Sequence, residues 1–251
     1  MDHDDVLAQP DLHHLHPLLL GHRGARRGAP ENTFLAFDKA LRDGCDGFEF
    51  DVRLSSDGRG VVCHDPTLHG LEIAKSSFPD LLAARQANSN PWFSQDTSSH
   101  GTHQLHCLED VLAKYAERAF LDIELKTEGL EEATIELLAR FPARRRAVVS
   151  SFLPAVLRRL AGLDVNLPLG LIFDNREAMQ QWELLPVSHV MPRHDLLDRS
   201  LVDEFHAAGK QVFAWTVNRE RRMRSLVEMG VDALISDDPE LLARFRKGCF
   251  P

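Results

Sequence analysis

The chain has no apolar run long enough to cross a bilayer, no Cys-x-x-Cys pair and no excess of basic residues. Each absence closes off a class of function. Without a stretch of about 20 apolar residues, no stable membrane association is expected. The first residues, MDHDDVLAQPDLHHLHPLLL, lack the basic start and apolar core of a secretory signal. A net charge of −9 leaves no basic face for nucleic acid. The four cysteines, Cys45, Cys63, Cys107 and Cys249, follow no framework spacing and read as free thiols in a reducing, cytoplasmic setting. His3, His13, His14 and His16 share no ligand spacing, so residues 1–16 read as a solvated tail. What is present is ordinary globular material: 251 residues, 43% of them hydrophobic, enough for one large α/β domain or two small ones.

Short apolar runs alternate with longer amphipathic ones almost to the end, the mark of repeated βα units. Leu18–Gly21 reads as a strand, and Asn32 as the N-cap of a helix carrying Phe34, Phe37, Ala40 and Leu41 at helical spacing until Gly44 stops it. Further strands are expected at Phe48–Val52, Val61–His64, Phe120–Leu125, Ala147–Ser150, Leu167–Phe173, Val187–Met191, Gln211–Val217 and Asp232–Ser236. Helical patterns lie between most of them. The rhythm predicts a single (β/α)₈ TIM barrel over residues 17–251 rather than an open doubly wound sheet.

Two features strain that expectation. Nine strand candidates compete for eight places, and the chain between Asp51 and Val61 is too short for the crossover helix that parallel strands need. A distorted barrel is expected there, with the chain running back down outside the barrel through Leu54–Gly58 before it rises again. Residues 66–107 are rich in Ser, Asn and His with little periodicity, which reads as a functional insertion or cap.

The chemistry concentrates between Gly21 and Pro66. Side chains alternate along a strand, so Glu49 and Asp51 share one face while Phe48, Phe50 and Val52 take the other. Their Cβ atoms are then about 7 Å apart, within reach of one ion. Strand Phe120–Leu125 repeats the pattern with Asp122 and Glu124, and Lys126 continues the same file. A pair of strand carboxylates is often a structural network with a basic neighbour such as Arg53. Converging carboxylates flanked by His22–Arg23 and His64–Asp65 instead favour a divalent cation, and oxygen ligands favour Mg²⁺, Ca²⁺ or Mn²⁺ over zinc. His22 and His64 each end a predicted strand, where the active-site loops of barrel enzymes begin. They fit a general acid and a general base. Arg23 and Lys126 would suit an anionic substrate.

The segments HRGARRGAPENTFLAFDKAL and GFEFDVRLSSDGRGVVCHD resemble the signature of the glycerophosphodiester phosphodiesterase family. LEDVL at 108–112, DIELK at 122–126, SSF at 150–152, FAWTVN at 213–218 and GVDALISDDP at 230–239 follow in order. The resemblance implies a (β/α)₈ barrel that cleaves a small-molecule glycerophosphodiester into an alcohol and glycerol 3-phosphate. It implies one divalent cation on Glu49, Asp51 and Glu124, His22 and His64 as the acid–base pair, Arg23 and Lys126 on the phosphate, and Trp215 as a pocket wall. The chain departs from the family pattern after His64–Asp65, where it reads PTLHGLEIAKS, and at His106–Cys107 before the LEDVL segment. Those departures bear on the cap and the alcohol it admits. His69, His100, His103 and His106 within it read as surface residues. A lyase of the related phospholipase-type barrels, or a barrel that only binds phosphodiesters, are the competing readings; the second has no need of two histidines beside three carboxylates.

Overall fold

The computed structural model describes residues 16–88, 104–141 and 146–249. His3, His13, His14, His100 and His103 lie outside them. The first half of the described chain forms β1 (Leu18–Gly21), α1 (Phe34–Asp43), β2 (Gly47–Leu54), β3 (Gly60–Val62), β4 (Thr67–Leu68), β5 (Leu71–Glu72), α2 (Phe78–Ala87), α3 (Leu108–Tyr115) and β6 (Phe120–Leu125). The second half forms α4 (Glu131–Arg140), β7 (Ala147–Ser151), α5 (Pro154–Leu163), β8 (Leu169–Phe173), α6 (Arg176–Met179), β9 (His189–Pro192), α7 (Arg199–Ala207), β10 (Gln211–Ala214), α8 (Glu220–Met229), β11 (Ala233–Ser236) and α9 (Pro239–Cys249). Strands β1, β2, β6, β7, β8, β9, β10 and β11 lie side by side in parallel, and β1 pairs with both β11 and β2. The ring is therefore closed, and the expected (β/α)₈ barrel is present.

Each strand sends one file of side chains outward to the helices and one inward. On β2 the outward file is Phe48, Phe50 and Val52, all fully buried. Phe37 of α1 stacks on Phe48 with ring centroids 4.2 Å apart, and Tyr115 of α3 meets the same ring edge-on at 5.0 Å. Gly47 opens the strand because a Cβ there would lie 1.8 Å from the Phe120 carbonyl oxygen of β6. α1 ends at Gly44, whose φ of 105° suits a residue without a Cβ.

Three details differ from expectation. The N-cap of α1 is Thr33, whose hydroxyl accepts from the Ala36 N–H at 3.2 Å. Asn32 sits one residue earlier with φ 57°, and its amide is engaged elsewhere, as described below. The ninth strand, β3, pairs antiparallel with β2, with Val52 opposite Val62 and Leu54 opposite Gly60. The chain does not descend outside the barrel to rise again: β2 runs on past the rim, turns at Ser55–Arg59 and comes back as a hairpin, which needs no crossover helix. Ser55 N–H donates to the Arg59 carbonyl at 2.9 Å and Gly58 takes φ 82° in that turn.

The third detail is the segment 66–107, which carries regular structure in its described part. β4 and β5 form a small antiparallel pair, and α2 is capped by the Ser77 hydroxyl, which accepts from the Asp80 N–H at 3.4 Å. Val61, Leu68, Ile73, Phe78, Leu81, Leu105 and Cys107 pack together as a separate apolar cluster. His69 is exposed, as expected, but His106 is not: it is buried, and its ring stacks on Phe34 at 3.6 Å with 7° between planes. Burial holds its imidazole down at about 4, so it fastens the end of this segment to α1 as a neutral aromatic ring.

Candidate active site

The site is what the inward files become at the carboxyl ends of the strands, the face on which barrel enzymes carry their active sites. In chain order the residues that reach it are His22, Glu49, Glu124, Lys126, Phe152, Ile172, Met191, Trp215 and Ile235, and they line a cavity of about 170 Å³ together with Arg23, His64 and Asp122. Parallel register sets Glu49 beside Asp122 and Asp51 beside Glu124. All four carboxylates are buried. The expected shared faces are therefore real, and every site residue expected from the sequence is brought to one end of the barrel.

Glu49, Asp51 and Glu124 offer ligand oxygens that lie within 4.8 Å of one another, a geometry found for no other group of such residues among the described residues. Glu49 Oε1 is buried with no hydrogen-bond donor, and the buried Asp51 Oδ1 and Glu124 Oε1 are met only by Lys126 Nζ. A buried carboxylate oxygen left without a donor is costly. The charges around them are unequal. Lys126 Nζ pairs with Glu124 Oε1 at 2.6 Å and with Asp51 Oδ1 at 3.4 Å, and Arg23 Nε lies 3.2 Å from Asp51 Oδ2. Burial by itself would raise the Asp51 carboxyl, but Lys126, Arg23 and the Asn32 amide outweigh it and hold Asp51 below the usual carboxylate range. Glu49 has only the Arg23 N–H in its favour: burial, then Asp51 and Glu124, outweigh it and push the carboxyl well up. Burial and the Asp51 charge raise Glu124 to about 7, and burial raises Asp122 to about 7 although Ser150 donates to it at 2.5 Å. Three of the four carboxyls are pushed toward their neutral forms, and Glu49, Asp51 and Glu124 each bring one oxygen within 4.8 Å of the other two. The donor set therefore fits a hard divalent cation.

His22 and His64 flank this group from different supports. His22 follows β1, where its backbone N–H donates to the Ser236 carbonyl at 2.8 Å. Its Nε2 lies 3.9 Å from Glu49 Oε2, and burial lowers its imidazole below the ordinary value. His64 follows β3: the Cys63 N–H donates to the Asp51 carbonyl at 3.0 Å and Arg53 Nε donates to the His64 carbonyl at 2.6 Å. The hairpin thus returns His64 to the height of Asp51. Its Nδ1 lies 2.8 Å from Asp65 Oδ1. Arg23 adopts a left-handed φ of 51°, uncommon for a residue with a side chain. In that conformation its N–H donates to Glu49 Oε2 at 2.8 Å while its guanidinium reaches Glu31 Oε1 at 2.9 Å. Trp215 Nε1 donates to the Met191 carbonyl at 2.7 Å and the ring meets Phe152 edge-on at 5.6 Å, forming the apolar wall opposite the carboxylates.

Several site residues were not assigned from the sequence. Asn32 donates from Nδ2 to Asp51 Oδ2 at 2.9 Å and accepts from the Asp51 N–H at 3.2 Å, which fixes that carboxylate in place. Its signal was an Asn before a helix, and a capping role absorbed it. Asp237 lies 2.7 Å from His22 Nδ1 across 215 residues of sequence, and no local pattern reports such a contact.

The profile of the Glycerophosphoryl diester phosphodiesterase family matches residues 22–241. A glycerophosphodiester phosphodiesterase of Caldanaerobacter subterraneus subsp. tengcongensis is 29% identical over 243 residues, covering 92% of this chain and 98% of the relative. Among solved structures, an Oleispira antarctica phosphodiesterase in complex with the product sn-glycerol-3-phosphate superposes with a TM-score of 0.78 at 28% identity, over 92% of this chain and 97% of that one. The glycerophosphodiester phosphodiesterase of Thermotoga maritima gives 0.76 at 25% identity, over 93% and 100%. Matched along almost its whole length in sequence and in barrel architecture, the chain belongs to the glycerophosphoryl diester phosphodiesterase family and is a phosphoric diester hydrolase.

Proposed function

We propose that the protein hydrolyses glycerophosphodiesters to sn-glycerol 3-phosphate and a free alcohol, with a divalent cation on Glu49, Asp51 and Glu124 and with His22 and His64 as the acid–base pair. The observation that carries this reading is the gathering of ligand oxygens from Glu49, Asp51 and Glu124 within 4.8 Å of one another, beside a cavity that both histidines line. A bound Mg²⁺, Ca²⁺ or Mn²⁺ supplies Lewis-acid stabilisation of charge on the phosphoryl oxygens. The protein's own groups do the rest. Arg23 presents a planar fork and Lys126 a compact charge, so both add to that stabilisation from fixed positions. His22 and His64 approach from different supports, as removal of a proton from the nucleophile and delivery of one to the leaving alkoxide require. Trp215 and Phe152 form a wall for the uncharged part of the substrate.

The product found with the Oleispira antarctica relative supports the glycerol 3-phosphate outcome for this chain. The segment 66–107 is the natural candidate for selecting the alcohol, since it follows His64 directly. Four free cysteines agree with a cytoplasmic setting, and among the described residues no helix is long and apolar enough to cross a membrane. The test is product analysis. Glycerophosphocholine with Mg²⁺, Ca²⁺ or Mn²⁺ should give choline and glycerol 3-phosphate, with turnover lost in excess chelator. Phosphocholine and free glycerol would show that the substrate is cleaved on the other side of phosphorus, and a cyclic phosphate that persists would mean that the enzyme is a lyase.

A further inference from the structure

His22 is held by a hydrogen-bond chain that begins outside the cavity. Its Nδ1 lies 2.7 Å from Asp237 Oδ1, whereas Nε2 is the nitrogen on the side of Glu49. The other oxygen, Asp237 Oδ2, accepts from Asn218 Nδ2 at 2.6 Å. Asn218 has its orientation fixed in turn, because its Oδ1 accepts from the Ser236 hydroxyl at 2.9 Å and from the Asp237 N–H at 3.0 Å. Two donors on that oxygen leave the Asn218 NH₂ pointing at Asp237. Arg26 Nη1 stands 3.6 Å from Asp237 Oδ1. Burial would raise the Asp237 carboxyl, but His22, Asn218 and Arg26 outweigh it and hold it below the usual range. An ionised carboxylate only accepts hydrogen bonds, so the hydrogen between Asp237 and His22 belongs to Nδ1.

We propose that Asp237 is a positioning residue that holds His22 as its Nδ1–H tautomer and so leaves Nε2 as the nitrogen available to a proton at the cavity. The inference rests on the reading of His22 as one of the acid–base pair. A proton arriving at Nε2 makes an imidazolium whose Nδ1–H faces the carboxylate. It departs from the same Nε2, and Asp237 stays ionised throughout. The chain from Ser236 through Asn218 to Asp237 joins the ends of β10 and β11 to the residue after β1. Three neighbouring strands thereby fix one ring.

Asn218 makes the proposal testable. In Asp237→Asn, the amide oxygen of the new side chain is drawn to the Asn218 NH₂, which turns its own NH₂ toward His22 Nδ1. His22 must then accept at Nδ1 and carry its hydrogen on Nε2. Exchanging the two residues, in the double variant Asp237→Asn/Asn218→Asp, moves the carboxylate to position 218. It still accepts from Ser236 and from the backbone, and it now also accepts the amide NH₂, which frees the amide oxygen to accept from His22 Nδ1–H.

The experiment pairs ¹⁵N NMR of the His22 ring, assigned by difference with His22→Gln, with kcat on glycerophosphocholine. The expected result is an Nδ1–H tautomer in the wild type, a switch to Nε2–H with kcat lowered by about 10²–10⁴-fold in Asp237→Asn, and return of both in the double variant. An Nε2–H tautomer in the wild type, or an unchanged tautomer in Asp237→Asn, overturns the proposal. A tautomer that switches and returns while kcat stays constant upholds the hold of Asp237 on the ring and removes His22 from the acid–base pair.

Discussion

Inside one barrel, β2 and β6 fill the inward positions with Glu49, Asp51, Asp122 and Glu124, while β8, β9, β10 and β11 fill theirs with Ile172, Met191, Phe213, Ala233 and Ile235. Both sets are buried and both rest on the same parallel scaffold. The apolar half stabilises the fold by burial, and its Ile172, Met191 and Ile235 line the cavity. The acidic half works against the fold, because three of its four carboxyls, Glu49, Asp122 and Glu124, are shifted toward their neutral forms by burial and by neighbouring carboxylates. Three of its residues, Glu49, Asp51 and Glu124, bring oxygens close enough together to hold a cation. One side of the barrel is built for stability and fit, the other for charge, and the two histidines stand on the charged side.

If that division holds, substitutions on the two sides should fail in different ways. The largest effect belongs to the charged side. His64→Ala should lower kcat by about 10²–10⁴-fold with the far-UV spectrum and melting temperature retained. A kcat near the wild-type value would remove His64 from the reaction. Next is Phe213→Ala on the apolar side. Phe213 is fully buried in the interior cluster, and truncation should cost about 3–5 kcal/mol in denaturant unfolding while divalent-cation affinity is kept. Loss of cation affinity without loss of stability would erase the division.

A subtler effect is expected at Asp122, whose carboxyl is raised from 3.8 to about 7 by burial. Between those values the folded protein keeps a proton that the unfolded chain has released, so rising pH drains stability from the wild type. Asp122→Asn carries no such group. In metal-free protein it should be more stable than the wild type above pH 7, by up to about 4 kcal/mol, with the gap closing toward pH 4. Parallel stability curves for the two proteins would show that Asp122 does not carry this burden.

The acidic half was legible in the sequence and the hold on it was not. Alternation alone put Glu49 with Asp51, and Asp122 with Glu124, because a strand repeats every two residues and needs no knowledge of its neighbours. The closed barrel followed from the same rhythm. The hairpin of β2 and β3 was half visible: the short spacing ruled out a crossover helix, but whether the chain went down or turned back depended on the turn at Ser55–Arg59. α2 escaped notice because its apolar positions follow no clear helical period, even though Ser77, Pro79 and Asp80 form a good start signal. Asn32 and Asp237 were hidden for a different reason. Their partners, Asp51 and His22, lie 19 and 215 residues away, and only the closed ring brings them together.

The central claim is that Glu49, Asp51 and Glu124 hold one divalent cation, and calorimetric titration tests it most directly. Mg²⁺, Ca²⁺ or Mn²⁺ should bind the wild-type protein at one site per chain, and Asp51→Asn should lower that affinity by at least an order of magnitude, about 1.4 kcal/mol or more, with the fold intact. Undiminished binding in Asp51→Asn, or full turnover by a wild-type protein that binds none of the three ions, would contradict the account.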